Sequence, residues 1–115
     1  MMPKLVLHLF HSDPAALSTV PKMAERLHLA GAQSGPALEV FVFGPAEAAL
    51  SAPDHAEFNA QIDGLVRLGV RVTTCIGLAQ QAGAEAAFRA RGLILESAAV
   101  AFPRFATETA TVITF

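Results

Sequence analysis

A chain of 115 residues has the length of about one domain on the prior of roughly 100 to 200 residues each, enough to bury a real core. Hydrophobic residues make up 53% and charged residues 16%, which leaves little polar surface for a monomer and predicts a homo-oligomer. A net charge of −2, with Lys and Arg scattered singly, offers neither a basic stripe for nucleic acid nor a polybasic patch for anionic lipid, so no nucleic-acid or membrane partner is expected.

Lys4 to Phe10 is a nearly continuous apolar run and predicts a strand buried on both faces. Asp13-Pro14 then reads as an N-cap and a first helical residue, and Leu17, Val20, Ala24 and Leu27 recur at helical spacing to Ala30. Pro21 predicts a kink or a restart within that run. Gly31 to Pro36 is a loop by composition; Ala37 to Phe43 predicts a second strand, closed by Gly44-Pro45 and followed by a short helix over Ala46 to Leu50. Asp54 and Glu57 have the spacing of a capping box ahead of an apolar stripe of Phe58, Ile62 and Leu65, which Gly69 ends as a left-handed cap.

Val70 to Cys75 predicts a third strand, with Val70 and Val72 on one face and Arg71 and Thr73 on the other. Leu78 to Arg91 is alanine-rich and helical, broken at Gly83 and stopped at Gly92. Leu93 to Leu95 predicts a fourth strand, Ala98 to Thr107 a last helix despite Pro103, and Ala110 to Phe115 a fifth strand. Alternating strands and helices imply an α/β fold, a three-layer α/β/α sandwich on a mainly parallel five-stranded sheet, since parallel neighbours need crossovers. No linker divides the chain, so residues 1–115 read as one domain.

The only cysteine, Cys75, excludes an internal disulfide, and with no signal-peptide pattern at the N-terminus a cytoplasmic location is expected. Cys75 falls where the third strand gives way to a helix, so its sulfur is expected partly exposed in the crevice at the carboxyl ends of the strands, beside unpaired helical N–H groups that favour a thiolate. Against this stands the tendency of a free cysteine to be an inert buried hydrophobe. His11, Gly44 and Gly77 border the same crevice and are candidate ligand-binding residues. His8, His11 and Asp13 are not read as a metal site, because a spacing of three sends two strand side chains to opposite faces; His8 is expected packed in the core, and His28 and His55 on helix surfaces. No cofactor is called for, and the glycine-rich nucleotide motifs and the G-x-S-x-G elbow are missing.

The strand Leu5-Val6-Leu7-His8, the strand and turn Glu39 to Gly44, the segment Leu68 to Cys75 and the ending Val112 to Phe115 together resemble the DsrE/DsrF-like (YchN-like) sulfur-relay family along nearly the whole chain. The resemblance implies a small parallel α/β protein, commonly a dimer, trimer or hexamer. It also implies a sulfurtransferase-type carrier, in which Cys75 accepts sulfane sulfur as a persulfide from a donor protein and yields it to an acceptor protein. The residues leave two rivals open, an oligomeric binding protein that takes a small anionic ligand near Gly44 and the helix after Cys75, and a purely structural interaction module if Cys75 is buried.

Overall fold

In the computed structural model, residues 3–31 and 35–115 are described; the middle of the first predicted loop lies outside them. The apolar runs form strands β1 (Lys4–Leu9), β2 (Ala37–Val42), β3 (Arg71–Thr74), β4 (Ile94–Leu95) and β5 (Thr111–Thr114). Between them lie helices α1 (Pro14–Ala30), α2 (Pro45–Ala49), α3 (Ala56–Arg67), α4 (Ile76–Gln81), α5 (Glu85–Ala90) and α6 (Ala98–Thr107). The strands build one sheet in the order β4-β3-β2-β1-β5 with every neighbouring pair parallel. Parallel pairing needs a crossover between consecutive strands, and the helices supply it.

Period-two alternation sorts the side chains of each strand between two layers. Leu7 and Leu9 of β1, Val40 and Val42 of β2 and Val72 of β3 pack against Leu17, Val20 and Ala24 of α1 and Phe58, Ile62 and Leu65 of α3. Val6 and Phe41 point the other way and pack against Ala101 and Phe105 of α6. The result is the expected three-layer α/β/α sandwich. Its layers are unequal, because only the β4-to-β5 crossover runs over the second face and carries a strand from one sheet edge to the other.

Local chemistry explains most boundaries. The Asp13 carboxylate accepts the Ala16 N–H at 3.1 Å and Pro14 opens α1, as the sequence predicts. Pro21 neither ends nor restarts α1, which runs unbroken through it to Ala30 with the ring buried in the core. Burial of the helix face offsets the hydrogen bond the proline cannot make. Gly69, Gly83 and Gly92 take left-handed backbone at the ends of α3, α4 and α5. The predicted Asp54 capping box does not form: Pro53–His55 make a short 3-10 turn that leads into α3, and neither the turn nor α3 has a side-chain cap bond. Instead, the Asn59 amide donates to the carbonyls of Ala49 and His55, both at 2.9 Å, and ties that turn to the end of α2.

All four residues of β5 are exposed and uncharged, and large apolar side chains are also exposed on α1 (Met23, Leu27, Leu29), on α6 (Val100, Phe102) and at Ile94 on the opposite sheet edge. No described helix is long and apolar enough to cross a membrane.

Candidate functional site

Cys75 stands where the sequence puts it, at the end of β3 as the N-cap residue of α4, but it is 8% exposed and counts as buried. The parallel β3–β4 pairing runs on past the strand ends, since the Glu96 N–H donates to the Thr74 carbonyl at 3.0 Å and the Ile76 N–H donates to the Glu96 carbonyl at 3.4 Å, so backbone on both sides of Cys75 is tied to the neighbouring strand. On the other side, the Cys75 N–H donates to Glu47 Oε1 at 3.0 Å. Gly77 lies over the thiol, since a Cβ built there would sit 3.8 Å from Cys75 Sγ, an ordinary contact that does not demand glycine.

Glu47 is the residue that sequence reasoning missed. It belongs to the first turn of α2, where a carboxylate reads as a routine complement to the helix end, yet it is 4% exposed. Gly44 sets this geometry: it has φ 71 and caps α2, and a Cβ on it would run into the Phe10 ring. With Gly44 pressed against Phe10, Pro45 starts α2 at once and Glu47 turns under the ends of β2 and β3. Burial pushes the Glu47 carboxyl up to about 7, against the pull of the Thr74 hydroxyl and the Cys75 N–H. The single proton of that hydroxyl is already given to the Val42 carbonyl at 2.7 Å, so the Cys75 amide is the one firm donor and Oε2 has no partner.

A cavity of about 300 Å³ opens beside this carboxyl, lined by Gly44, Glu47, Ser51, Leu78, Gln81 and Phe88 together with two alanines. Its volume lies at the small end of ligand pockets, roughly 300 to 1,000 Å³, and its mix of apolar walls with a few polar groups is that of such pockets. It lies at the carboxyl end of the sheet, the ligand side of parallel α/β proteins. Of the three sequence-predicted ligand residues only Gly44 reaches it. His11 is exposed and stacks edge-on against Phe10 at 5.3 Å, so that Phe10 touches both His11 and Gly44. Gly77 stays with Cys75.

His8 is buried, as expected, among Phe10, Phe41, Phe43 and Phe102, with Nδ1 3.1 Å from the Thr114 hydroxyl. Burial, and then the charge of His11, hold its pKa below the ordinary value. His28 is half-buried on α1, and His55, expected on a helix surface, is half-buried in the 3-10 turn that precedes α3. No described group of three or more His, Cys, Asp or Glu side chains is placed to hold a metal ion. The other charged cluster is structural: Glu39, fully buried on β2, receives Arg104, Lys4 and the Thr73 hydroxyl at 2.7 to 2.8 Å, and every member has a partner.

Fold and site together define a parallel α/β/α sandwich with a small, acid-lined cavity at the carboxyl edge of its sheet. No family model and no curated protein matches the chain. Among solved structures the chain is similar to the "Conserved Protein of Unknown Function BT1422 from Bacteroides thetaiotaomicron", with a TM-score of 0.80 at 9% identity over 97% of this chain and 95% of that one. At that identity the likeness shows the fold alone.

Proposed function

We propose that this chain is a non-catalytic small-ligand-binding protein whose ligand occupies the cavity between α2, α4 and α5. The observation that carries this reading is a ligand-sized, mostly apolar cavity at the carboxyl edge of the sheet with the buried Glu47 among its lining residues. The lining contains no Lys, Arg or His, which weighs against the small anion anticipated from Gly44 and the start of α4. Benzyl alcohol, an uncharged probe of suitable size, is expected at millimolar concentration to shift the backbone amide resonances of Leu78, Ala82 and Phe88. It should not do so in Ala48→Phe, where the new ring fills the cavity. Shifts scattered over the surface, or unchanged in Ala48→Phe, would remove the reading.

A second reading, a cytoplasmic sulfur carrier of the DsrE/DsrF-like kind, is favoured by a separate observation, the position of Cys75 at the β3-to-α4 junction. In that reading the Cys75 thiolate attacks the outer sulfur of a donor protein's persulfide. A new S–S bond forms on Cys75, the donor's S–S bond breaks, and the donor leaves as its thiolate. An acceptor protein's thiolate then repeats the exchange. Each step needs Sγ within reach of a partner, and Cys75 is buried. Native protein is therefore expected to resist iodoacetamide until unfolded, and to gain no sulfur by mass from a persulfide donor. Rapid native alkylation with the gain of one sulfur, lost in Cys75→Ser, would instead establish the carrier.

A further inference from the structure

The sheet has two edges, and only one of them is blunted. At one end β4 is two residues long; at the other β5, Thr111-Val112-Ile113-Thr114, carries no charge and no proline, and all four of its residues are exposed. The bonds to β1 decide which backbone groups of β5 remain. Phe115 gives its N–H to the His8 carbonyl at 2.8 Å and accepts the Phe10 N–H at 2.9 Å, and the register sets Leu7 beside Ile113 and Leu5 beside Thr111. Successive residues of a strand turn their N–H and C=O groups to alternate sides, so Thr111, Ile113 and Phe115 bond to β1, while Val112 and Thr114 turn both groups to the free edge. Ala110, next in that outward row, already gives its N–H to the Phe105 carbonyl at 2.9 Å.

A second copy of β5 satisfies the free row without remainder. Laid antiparallel about a two-fold axis through Ile113, Val112 of one copy lies opposite Thr114 of the other and the two exchange both bonds. The symmetric pair does the same, and the two Ile113 meet between them as a non-hydrogen-bonded pair with Cα atoms about 4.5 Å apart. An axis through Val112 would instead set Thr114 against Ala110, whose N–H is taken. Charge does not oppose the pairing. Lys4 and Glu108, beside the start of β5, bond to each other at 2.8 Å, and β5 brings no charge to repel its copy. Apolar surface extends the edge on the Ile113 face. Leu17 and Ser18 of α1 share a hollow with Phe58 and Gln61 of α3, which lies toward β3, so the exposed Met23 and Leu27 occupy the opposite flank of α1, on the β5 side.

We propose that the β5 edge is a dimer interface for a second copy of this chain, joining two five-stranded sheets into one through Val112 and Thr114 about a two-fold axis at Ile113. A four-residue edge with one apolar flank is smaller than a standard interface of about 800 Å² per partner, roughly an eighth of the 6098 Å² this chain exposes, so the dimer is expected to dissociate on dilution.

Sedimentation of the full chain between about 5 and 500 µM is expected to move from 12.0 kDa toward twice that mass. Ile113→Lys, at a residue already 44% exposed, sets two like charges at the axis and should hold the chain at 12.0 kDa throughout, with its circular dichroism unchanged. Ile113→Cys should cross-link into a disulfide dimer on mild oxidation, whereas the wild type and Val112→Cys, which faces a threonine, should not. A wild type that stays at 12.0 kDa at every concentration overturns the proposal. So does a dimer that persists in Ile113→Lys, or a Val112→Cys that cross-links as readily as Ile113→Cys, because the contact would then lie elsewhere or in another register. Should Ile113→Lys fail to fold, Val112→Pro decides in its place: it removes an outward N–H that the monomer does not use and should likewise abolish the dimer.

Discussion

Arg104→Met is expected to destabilise the protein by about 3 kcal/mol in urea unfolding at neutral pH, the scale seen when one partner of a buried ion pair is removed. Glu39 has no exposed surface, and the Arg104 guanidinium grips both its oxygens, at 3.0 and 2.7 Å, from α6 on the thinly covered face of the sheet. The same guanidinium reaches Glu96 at 2.9 Å and Glu108 at 3.1 Å, and so fixes α6 to β2 and to the segment before its own first turn. Methionine keeps most of the stem packing but leaves a buried carboxylate with Lys4 and the Thr73 hydroxyl as its close partners. Because the penalty is an uncompensated charge, Glu39→Leu added to Arg104→Met should recover at least half of the loss. A double variant no better than Arg104→Met would show that packing of α6, and not the charge, is what Arg104 supplies.

This pair also sets the acid limit. Burial pushes Glu39 up, but the bonds from Arg104, Lys4 and Thr73 outweigh it and bring the carboxyl down to about 2 from 4.5. A lowered carboxyl contributes stability that is complete above 4.5 and is lost as pH falls through about 2, on the order of 3 kcal/mol for this interval. That loss should shrink in Arg104→Met, where less of the depression remains.

The fold was legible because its determinants are local or periodic. Alternation marks β1, β2 and β3, helical spacing marks Leu17, Val20 and Ala24 of α1 and Phe58, Ile62 and Leu65 of α3, and the breaks fall at Gly69, Gly83 and Gly92. The capping box misled because its pattern is satisfied by any Asp and Glu three apart, while Pro53 at the start of a 3-10 turn and the Asn59 amide gave that backbone another solution. The site was legible only in part. Cys75 could be placed at a strand end, but the groups bonded to the backbone there come from far along the chain: Glu96, which is 21 positions further on, and Glu47, which is 28 positions earlier. Glu47 itself sits in an alanine-rich first turn where nothing local distinguishes a buried acid from a solvated one. Its one cue was Gly44-Pro45, a turn tight enough to fold the next residues under the sheet edge. Glu39 likewise looks out of place in a strand of apolar residues until Lys4, Thr73 and Arg104, from three other elements, are seen to converge on it.

Glu47 should impose an alkaline limit of the opposite sign. Its carboxyl, raised from 4.5 to about 7 by burial against its hydrogen bonds, favours the fold while it is protonated. The contribution is fully present below 4.5 and is lost as pH rises through about 7, again on the order of 3 kcal/mol. The protonated acid is the form that burial favours: Oε1 accepts the Cys75 N–H, and Oε2 has no protein partner that would stabilise a charge. Glutamine keeps the acceptor for the Cys75 N–H and has nothing to ionise. Glu47→Gln is therefore expected to match the wild type within about 1 kcal/mol at pH 4.5 and to exceed it by about 2 kcal/mol at pH 8, read from urea midpoints with unchanged slopes. His8 works against this trend in the wild type, since its lowered pKa contributes stability that is complete above 6.5 and is lost on acidification. It is common to both proteins, so the difference between them isolates Glu47. Equal stability curves across this range would mean that Glu47 is hydrated and ionised in the folded protein.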